Sequence, residues 1–412
     1  MASIRMRALQ IDIDLWFPVY EQLTFEQLRS TDVLLTKTSY FDVLDDQCVE
    51  VRINLRSSVV VIPSRSRIDV CRANECADRV LVMTKCEFKE NVQNDDPMWE
   101  HACFLTRLVA CSVRVSETAG RIIKDIMRRG DLKIVDKGNG GKEDLQTEAD
   151  RSAQYCIVKS LQQKFGSKLT VIGEEERVST VPHLDLSYSS EVLKVNDRCP
   201  DELRDIDVDD VVVWVDPLDG TSEFAQAARN GSPLLQQVTV LIGIGYKGRA
   251  VAGVIHQPYW GEKQVGRTIW AIVGAGAHGI DIVKGKKERV VVTTRSHSTT
   301  TVADALEALK KRGLADTIQP VIKCLEGAAA YVFASPGCKK WDTAAPEAVI
   351  VAAGGKLTDV AGRQLYYGAD AQISNSGGVL ATSGWVNHKE YVDSIPDYVK
   401  AALPEFVSKV NS

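Results

Sequence analysis

No stretch of this chain approaches the roughly 20 consecutive apolar residues that a membrane span needs. Nor is there an excess of positive charge: 50 Lys and Arg stand against 55 Asp and Glu, a formal net charge of −5, and the pI is near 5.8. That balance leaves no electrostatic footprint for a nucleic acid. Ten cysteines are present without zinc-ligand spacing, Cys71 and Cys76 being the nearest pair, so they are expected as reduced thiols. The opening residues MASIRMRALQIDIDLWF carry acids where a signal peptide would carry its apolar run. Together these absences predict a cytoplasmic protein whose partners include neither membrane nor nucleic acid. What the chain does have is length and apolar content: 412 residues, 44% hydrophobic and 25% charged, enough to bury a large core in two or three domains.

The character of the chain changes near residue 100. Residues 1–100 hold short apolar runs such as SSVVVIPS without a repeat or helical period, and form an N-terminal extension with no assigned role. From Leu105 the signals strengthen. In LTRLVACSVRVSETAGRIIKDIMRRGD, apolar residues at 108, 109, 113, 119, 122, 123 and 126 share one helical face, and Gly130 stops the helix after two arginines. A second helix, buried along Ala149, Ala153, Cys156, Ile157 and Leu161, is predicted to pack on it. VTVLIGIG and RAVAGVIHQP flank YKG as a hairpin. ERVVVTTRSHS, AAAYVFASPG and GGKLTDVAG read as strands, and TVADALEALKKRG and PEAVIVAAGG as helices. The alternation predicts a layered α/β (α+β) arrangement of helix and sheet layers.

Carboxylates mark the ends of these elements. VVVWV is apolar on both faces and belongs inside a sheet, with Asp216 where it emerges. Pro217 and Gly220 shape a turn that can fold Asp216 and Asp219 toward one point. Glu174 and Glu175 follow the short strand KLTVIG, Asp144 and Asp150 flank LQTEA at the start of the second helix, and Asp342 is placed just before a helix with Pro346 near its first turn. Taken singly, each fits an ordinary structural role: Asp219 bonding its own backbone in a turn, Asp150 favoured by a helix dipole, Asp342 as an N-cap, Glu174 to Glu176 as a solvated charge run. Jointly they are harder to explain that way, because converging carboxylates repel unless a cation or proton lies between them. Oxygen ligands without neighbouring His or Cys suit magnesium rather than zinc.

DLQTEAD, GEE, WVDPLDGTSEF and WDTAAPE resemble, in order and context, the motif set of the magnesium-dependent, lithium-sensitive phosphatase superfamily that includes inositol monophosphatase and fructose-1,6-bisphosphatase. Within it, VTVLIGI, AGVIHQPY, GRTIW, TTRSHS and AYVFASPGCKKWDT are similar to the 3′(2′),5′-bisphosphate nucleotidases, over about residues 100–408. The resemblance implies the family's stack of alternating helix and sheet layers, with residues 101–260 forming a subdomain that carries most metal ligands. Residues 261–412 would form a second subdomain with the nucleotide contacts and the last ligand. It also implies hydrolysis of the 3′-phosphate of adenosine 3′,5′-bisphosphate to AMP by a water activated by two or more Mg2+ ions, inhibited by Li+. Side activity is implied on the sulfated nucleotide and on inositol 1,4-bisphosphate.

Carried over by motif, Glu174, Asp216 and the carbonyl of Leu218 match the ligands of one metal, and Asp216, Asp219 and Asp342 those of the other. Asp150 and Thr221 match the pair that positions the attacking water; Thr221, Thr294 and His297 match residues that contact the substrate. The implied partner is a small phosphonucleotide, and the implied assembly a monomer or weak homo-oligomer.

Two segments depart from the pattern. LADTIQPVIKCLEG replaces a glycine-rich stretch, with Lys323 no evident substitute for its lysine, and AQAARNGSPLLQQ after Phe224 is longer than expected. Three rivals stay open: an inositol phosphate phosphatase using the same metals, a phosphonucleotide-binding protein of little activity, suggested by the first departure, and a purely structural role, against which the cost of so many converging carboxylates weighs. Relative turnover of the two substrates, or tight binding without turnover, distinguishes the first two.

Overall fold

The computed structural model divides into two units, Met1–Gln93 and Asn94–Ser412. In the first, only the backbone of two antiparallel hairpins is described: Ala2–Arg5 with Asp12–Leu15, and Ser39–Val43 with Val49–Ile53. In the second, residues 96–404 are described except 138–144, 177–178, 180, 182–183, 231–232, 283–287, 294–298 and 321–325, with backbone alone at 233–234 and 317–320. Among the described residues no helix is long and apolar enough to cross a membrane.

The second unit begins with helix α1 (Phe104–Arg129). Its buried stripe includes Leu105, Leu108, Val109, Ala119, Ile123 and Ile126, and Gly130 ends it in a left-handed conformation, its N–H reaching the carbonyls of Ile126 and Met127. Helix α2 (Glu148–Phe165) packs on α1 through Ala149, Ala153, Cys156, Ile157 and Leu161. Both helices and their buried faces are as the periodicity predicts.

This helix pair covers one face of a six-stranded sheet. Its strands are β1 (Thr170–Gly173), β2 (Val211–Asp219), β3 (Thr239–Tyr246), β4 (Arg249–Gln257), β5 (Arg267–Ile272) and β6 (Gly276–His278), in spatial order β6-β5-β4-β3-β2-β1. All neighbours are antiparallel except β1 and β2. The sheet runs across residue 260, since β4 and β5 pair through Gln257 and Arg267. β2 lies inside the sheet, buried from Val211 to Leu218, as its two-faced apolar run requires. Helix α3 (Thr221–Asn230) follows β2 directly.

The second sheet combines β7 (Val290–Thr293), β8 (Thr317–Pro320), β9 (Ala330–Phe333), β10 (Lys356–Thr358) and β11 (Val379–Thr382), in the order β8-β7-β9-β11-β10. Helices α4 (Thr300–Lys311), α6 (His388–Ser394) and α7 (Asp397–Ala402) gather beside it. Helix α5 (Lys340–Ala352) contacts strands of both sheets. The layers therefore alternate helix, sheet, helix, sheet, helix, as expected from the α/β pattern.

The seating of α5 depends on two missing side chains. Gly243 on β3 and Gly253 on β4 pair directly across the strands. A Cβ on Gly243 would lie 2.4 Å from the Cβ of Ala344, and one on Gly253 2.5 Å from the carbonyl oxygen of Ala345. His256, three residues along β4, points to the opposite face, where it meets Gly120 of α1. One face of the sheet thus receives α1 while the other admits α5 flush against its backbone.

The start of α5 differs from the sequence expectation. Asp342 is not a cap ahead of the helix: Lys339 is the N-cap, Asp342 is the third helical residue, and Pro346 lies inside the helix. Lys-Trp-Asp forms a first turn because the Asp342 carboxylate accepts the Lys339 backbone N–H at 2.7 Å. Pro346 has no N–H to offer the carbonyl of Asp342 four residues earlier.

Gly253→Ala is expected to destabilise the protein by about 1–3 kcal/mol, because the added methyl meets backbone that cannot turn aside. Thermal denaturation reads this directly, and an unchanged midpoint would refute the close seating of α5.

Candidate active site

At the end of β2 the pairing slips: Asp216 opposes Leu241 but Asp219 opposes Thr239. Three steps on β2 thus match two on β3, a bulge that brings residues three apart onto one side of the sheet. Pro217 is tolerated there because it has no N–H to give a ladder. Asp216 Oδ1 accepts the N–H of Leu218 at 3.1 Å, and Asp219 Oδ2 accepts the Thr239 hydroxyl at 3.2 Å. Gly220, at φ 91°, then turns the chain into α3 at Thr221.

Thr221 connects this turn to α2. Its Oγ1 lies 2.9 Å from Asp150 Oδ1 and 3.0 Å from the carbonyl oxygen of Leu218, and its single hydrogen can serve one of them at a time. The other carboxylate oxygen of Asp150 accepts both the N–H and the hydroxyl of Thr147, at 2.8 and 2.5 Å. Asp150 is therefore a capping-box residue, fully buried, and aimed by its neighbours at Thr221. Burial raises its pKa despite these bonds.

Glu174 stands one residue beyond β1, its N–H held by the carbonyl of Val215 at 3.1 Å. Its carboxyl is pushed up to about 8, first by burial and then, against the pull of Lys137, by Glu175, Asp342 and Asp150. Asp216 is raised well above the usual range by burial and by Glu174, Asp219 and Asp342. Burial also lifts Asp219 to about 6, and burial with Asp219 lifts Asp342 to about 7. Glu174 just beyond β1, Asp216 and Asp219 on β2 and Asp342 in α5 are thus linked through their charges, and Asp150, bonded to Thr221, adds to the shift of Glu174.

Lys137 has no place in the sequence pattern, whereas Glu175 is expected there with Glu174 at the end of a short apolar strand, or else in a solvated charge run. Lys137 Nζ lies 3.5 Å from Glu174 and 3.2 Å from both oxygens of Glu175. Glu175 is buried, accepts Gln146 Nε2, and exchanges backbone bonds with Gln154 at 2.8 and 2.6 Å. No sequence signal marks Lys137. For Glu175 there was one: a second acid directly after Glu174, which a leaving strand must point the other way. Thr294, His297, Lys323 and Asp144 lie outside the described residues.

The donor chemistry fits a hard cation, being all oxygen and short of protons only at a cost that a cation would remove. Among the described residues, however, no group of three or more Asp, Glu, His or Cys side chains is arranged to hold a metal ion.

The sequence pattern of the inositol monophosphatase family matches residues 105–400. The chain belongs to that family. It is 45% identical over 314 residues to the 3′(2′),5′-bisphosphate nucleotidase 1 of Homo sapiens, covering 73% of this chain and 97% of that protein. To the proteins of the same name from Rattus norvegicus and Dictyostelium discoideum it is 43% identical over 312 residues and 34% over 322, each again covered to 97% while 73% and 71% of this chain is matched. The family pattern starts at residue 105, beyond the N-terminal unit Met1–Gln93.

Lys137→Met should expose how much of the site's repulsion this lysine offsets. Without it Glu174 and Glu175 keep their protons to still higher pH, so the variant's deficit in melting temperature is small near pH 5 and grows toward pH 8. A deficit independent of pH would mean that Lys137 contributes packing only.

Proposed function

We propose that this protein is a phosphomonoesterase that removes the 3′-phosphate of adenosine 3′,5′-bisphosphate, giving AMP and phosphate, and acts likewise on the sulfated nucleotide. What supports this reading is the electrostatic linkage of Glu174, Asp216, Asp219 and Asp342, with Asp150 bonded to Thr221, in a chain so similar to proteins named bisphosphate nucleotidases. Glu174, Asp216 and the Leu218 carbonyl would hold one Mg2+, and Asp216, Asp219 and Asp342 a second. Bound there, magnesium would neutralise the carboxylates and draw charge from the phosphoryl oxygens as the ester bond breaks. The cysteines carry neither zinc-ligand spacing nor a disulfide framework, which fits a reducing compartment, the cytoplasm.

Asp150 and Thr221 handle the proton. When Thr221 donates to Asp150 its oxygen lone pairs are open to accept a hydrogen from the attacking water. Deprotonation of the water then passes through the Thr221 hydroxyl to Asp150 Oδ1. Burial makes that carboxylate a stronger base than an exposed one, and the Thr147 bonds on Oδ2 keep Oδ1 pointed at Thr221. The Leu218 carbonyl competes for the same hydroxyl hydrogen; engaging that carbonyl elsewhere commits Thr221 to Asp150.

Purified protein should release phosphate from adenosine 3′,5′-bisphosphate with magnesium, lose that activity with chelator, and be suppressed by lithium. Hydrolysis of inositol 1,4-bisphosphate alone would assign the inositol phosphate reading instead, and tight nucleotide binding without turnover the binding protein. Asp216→Asn should abolish magnesium-dependent release with the fold intact. Thr221→Val should lower turnover by about 100-fold or more, the scale of a lost proton-transfer group. Near-normal rates in either variant would sink the assignment.

The cation itself can be followed without activity. The folded pKa values of Glu174, Asp219 and Asp342, about 8, 6 and 7, lie above those of unfolded carboxyls. The metal-free protein therefore loses stability as pH rises from about 4 to about 8. Magnesium should restore it, raising the melting temperature little near pH 5 and most near pH 8. A shift that shrinks with rising pH would exclude these carboxylates as its ligands.

A further inference from the structure

Beside Asp219 and Asp342 opens a cavity of about 110 Å3, whose polar wall also includes Gln237, Gln257, Arg267 and Glu326. Arg267 organises that wall. Its Nε donates to Gln257 Oε1 at 2.6 Å and its Nη2 to Glu326 Oε1 at 2.6 Å. The guanidinium carbon lies 3.4 Å from the centre of the Trp260 ring. The pair with Glu326 is mostly buried, the side chains being 19% and 26% exposed. Gln257 in turn donates through Nε2 to the carbonyl of Gln236 at 3.2 Å.

The partners come from distant parts of the chain. Gln236 and Gln237 end the stretch after Phe224 that is longer than the family pattern, and Glu326 ends the stretch from Leu314 that lacks the pattern's glycines. One guanidinium on β5 therefore fastens the ends of both divergent segments, one through Gln257 and one directly, where they border Asp219 and Asp342, the carboxylates that would help hold the second Mg2+. A planar fork with two separate donors, flat against an indole, is a task for arginine; lysine offers one charge and no fork.

Resting on the phosphatase reading above, we infer that Arg267 is a positioning residue for substrate selection: with Glu326 and Gln257 it sets the wall against which the nucleoside part of the substrate is held. It takes no part in the proton transfer or in holding the cation. Its loss therefore weakens binding of the nucleotide while leaving the chemical step.

The test is steady-state kinetics on adenosine 3′,5′-bisphosphate and on inositol 1,4-bisphosphate, using the full chain, Arg267→Lys, Glu326→Gln and the double variant, each with its melting temperature. Each single variant is expected to raise KM for the nucleotide about tenfold, equivalent to about 1.4 kcal/mol, with kcat within about threefold. The double variant should cost no more than the worse single one, because the two groups act as a unit. KM for the inositol substrate, which carries no nucleoside, should move less. Unchanged nucleotide KM in Arg267→Lys and Glu326→Gln would overturn the proposal, as would kcat and melting temperature falling together in Glu326→Gln, the signature of a purely structural link. Should the unmodified chain fail to hydrolyse the nucleotide, both this inference and the reading beneath it fall; an active chain with indifferent variants removes this inference alone.

Discussion

Mutual repulsion of buried carboxylates is the constraint around which the second unit is organised. Removing a charge from water is costly, and placing another of the same sign beside it adds to that cost. The structure answers with backbone donors: the Leu218 N–H for Asp216, the Lys339 N–H for Asp342 and the Thr147 N–H for Asp150. Each donor is a main-chain group on a helix start or a bulge, so it cannot swing away. Lys137 offsets part of the remaining charge at Glu174 and Glu175. The residue of the cost appears as raised pKa values, and a site in that condition has a strong thermodynamic preference for a cation.

Holding the groups in place against their own repulsion requires rigid elements, which is the reason for the layered fold. β2 is buried on both faces and cannot relax, so the bulge fixes Asp216 and Asp219 together. α5 is confined between two sheets, and the facing glycines 243 and 253 let it approach so closely that Asp342 feels the charge of Asp219. α2 is locked to α1 along a run of small residues, Ala149 and Ala153. Four carboxylates thus come from elements whose positions are set by packing far from the charges themselves.

Much of this was legible in the sequence because it depends on local rules. Helical periodicity gave α1 and α2 with the correct buried faces, and a glycine turn between two apolar runs gave the β3–β4 hairpin. The acids at element ends marked the candidate ligands because a strand buried on both faces can carry charge only where it leaves the sheet. What sequence reasoning mistook or missed depends on tertiary contact. Asp342 was placed ahead of its helix because Pro346 looked like a first-turn residue, whereas the carboxylate caps from within. Lys137 lies 37 residues from Glu174 with no pattern joining them, and only the fold shows that they meet. Gln154 looked like an ordinary helix residue, yet its amide pairs both ways with the backbone of Glu175. The Arg267 fork was equally invisible, since its partners lie 10 and 59 residues away.

The distribution of these links suggests how such a protein can change its substrate without losing its chemistry. The charged centre rests on β2, α5 and α2, whose geometry is fixed by the core, so substitutions there disturb packing and catalysis together. The polar wall is made of segment ends joined by side chains: Glu326 through an ion pair, Gln236 through an amide, both meeting at Arg267. Loop length costs little in stability, growing only slowly with added residues. Long insertions and altered stretches are therefore tolerated at the wall provided their ends are still caught. In this chain both divergent segments are caught by the same guanidinium, so the wall can differ in length and sequence while its ends stay fastened to the sheet that carries Asp216 and Asp219.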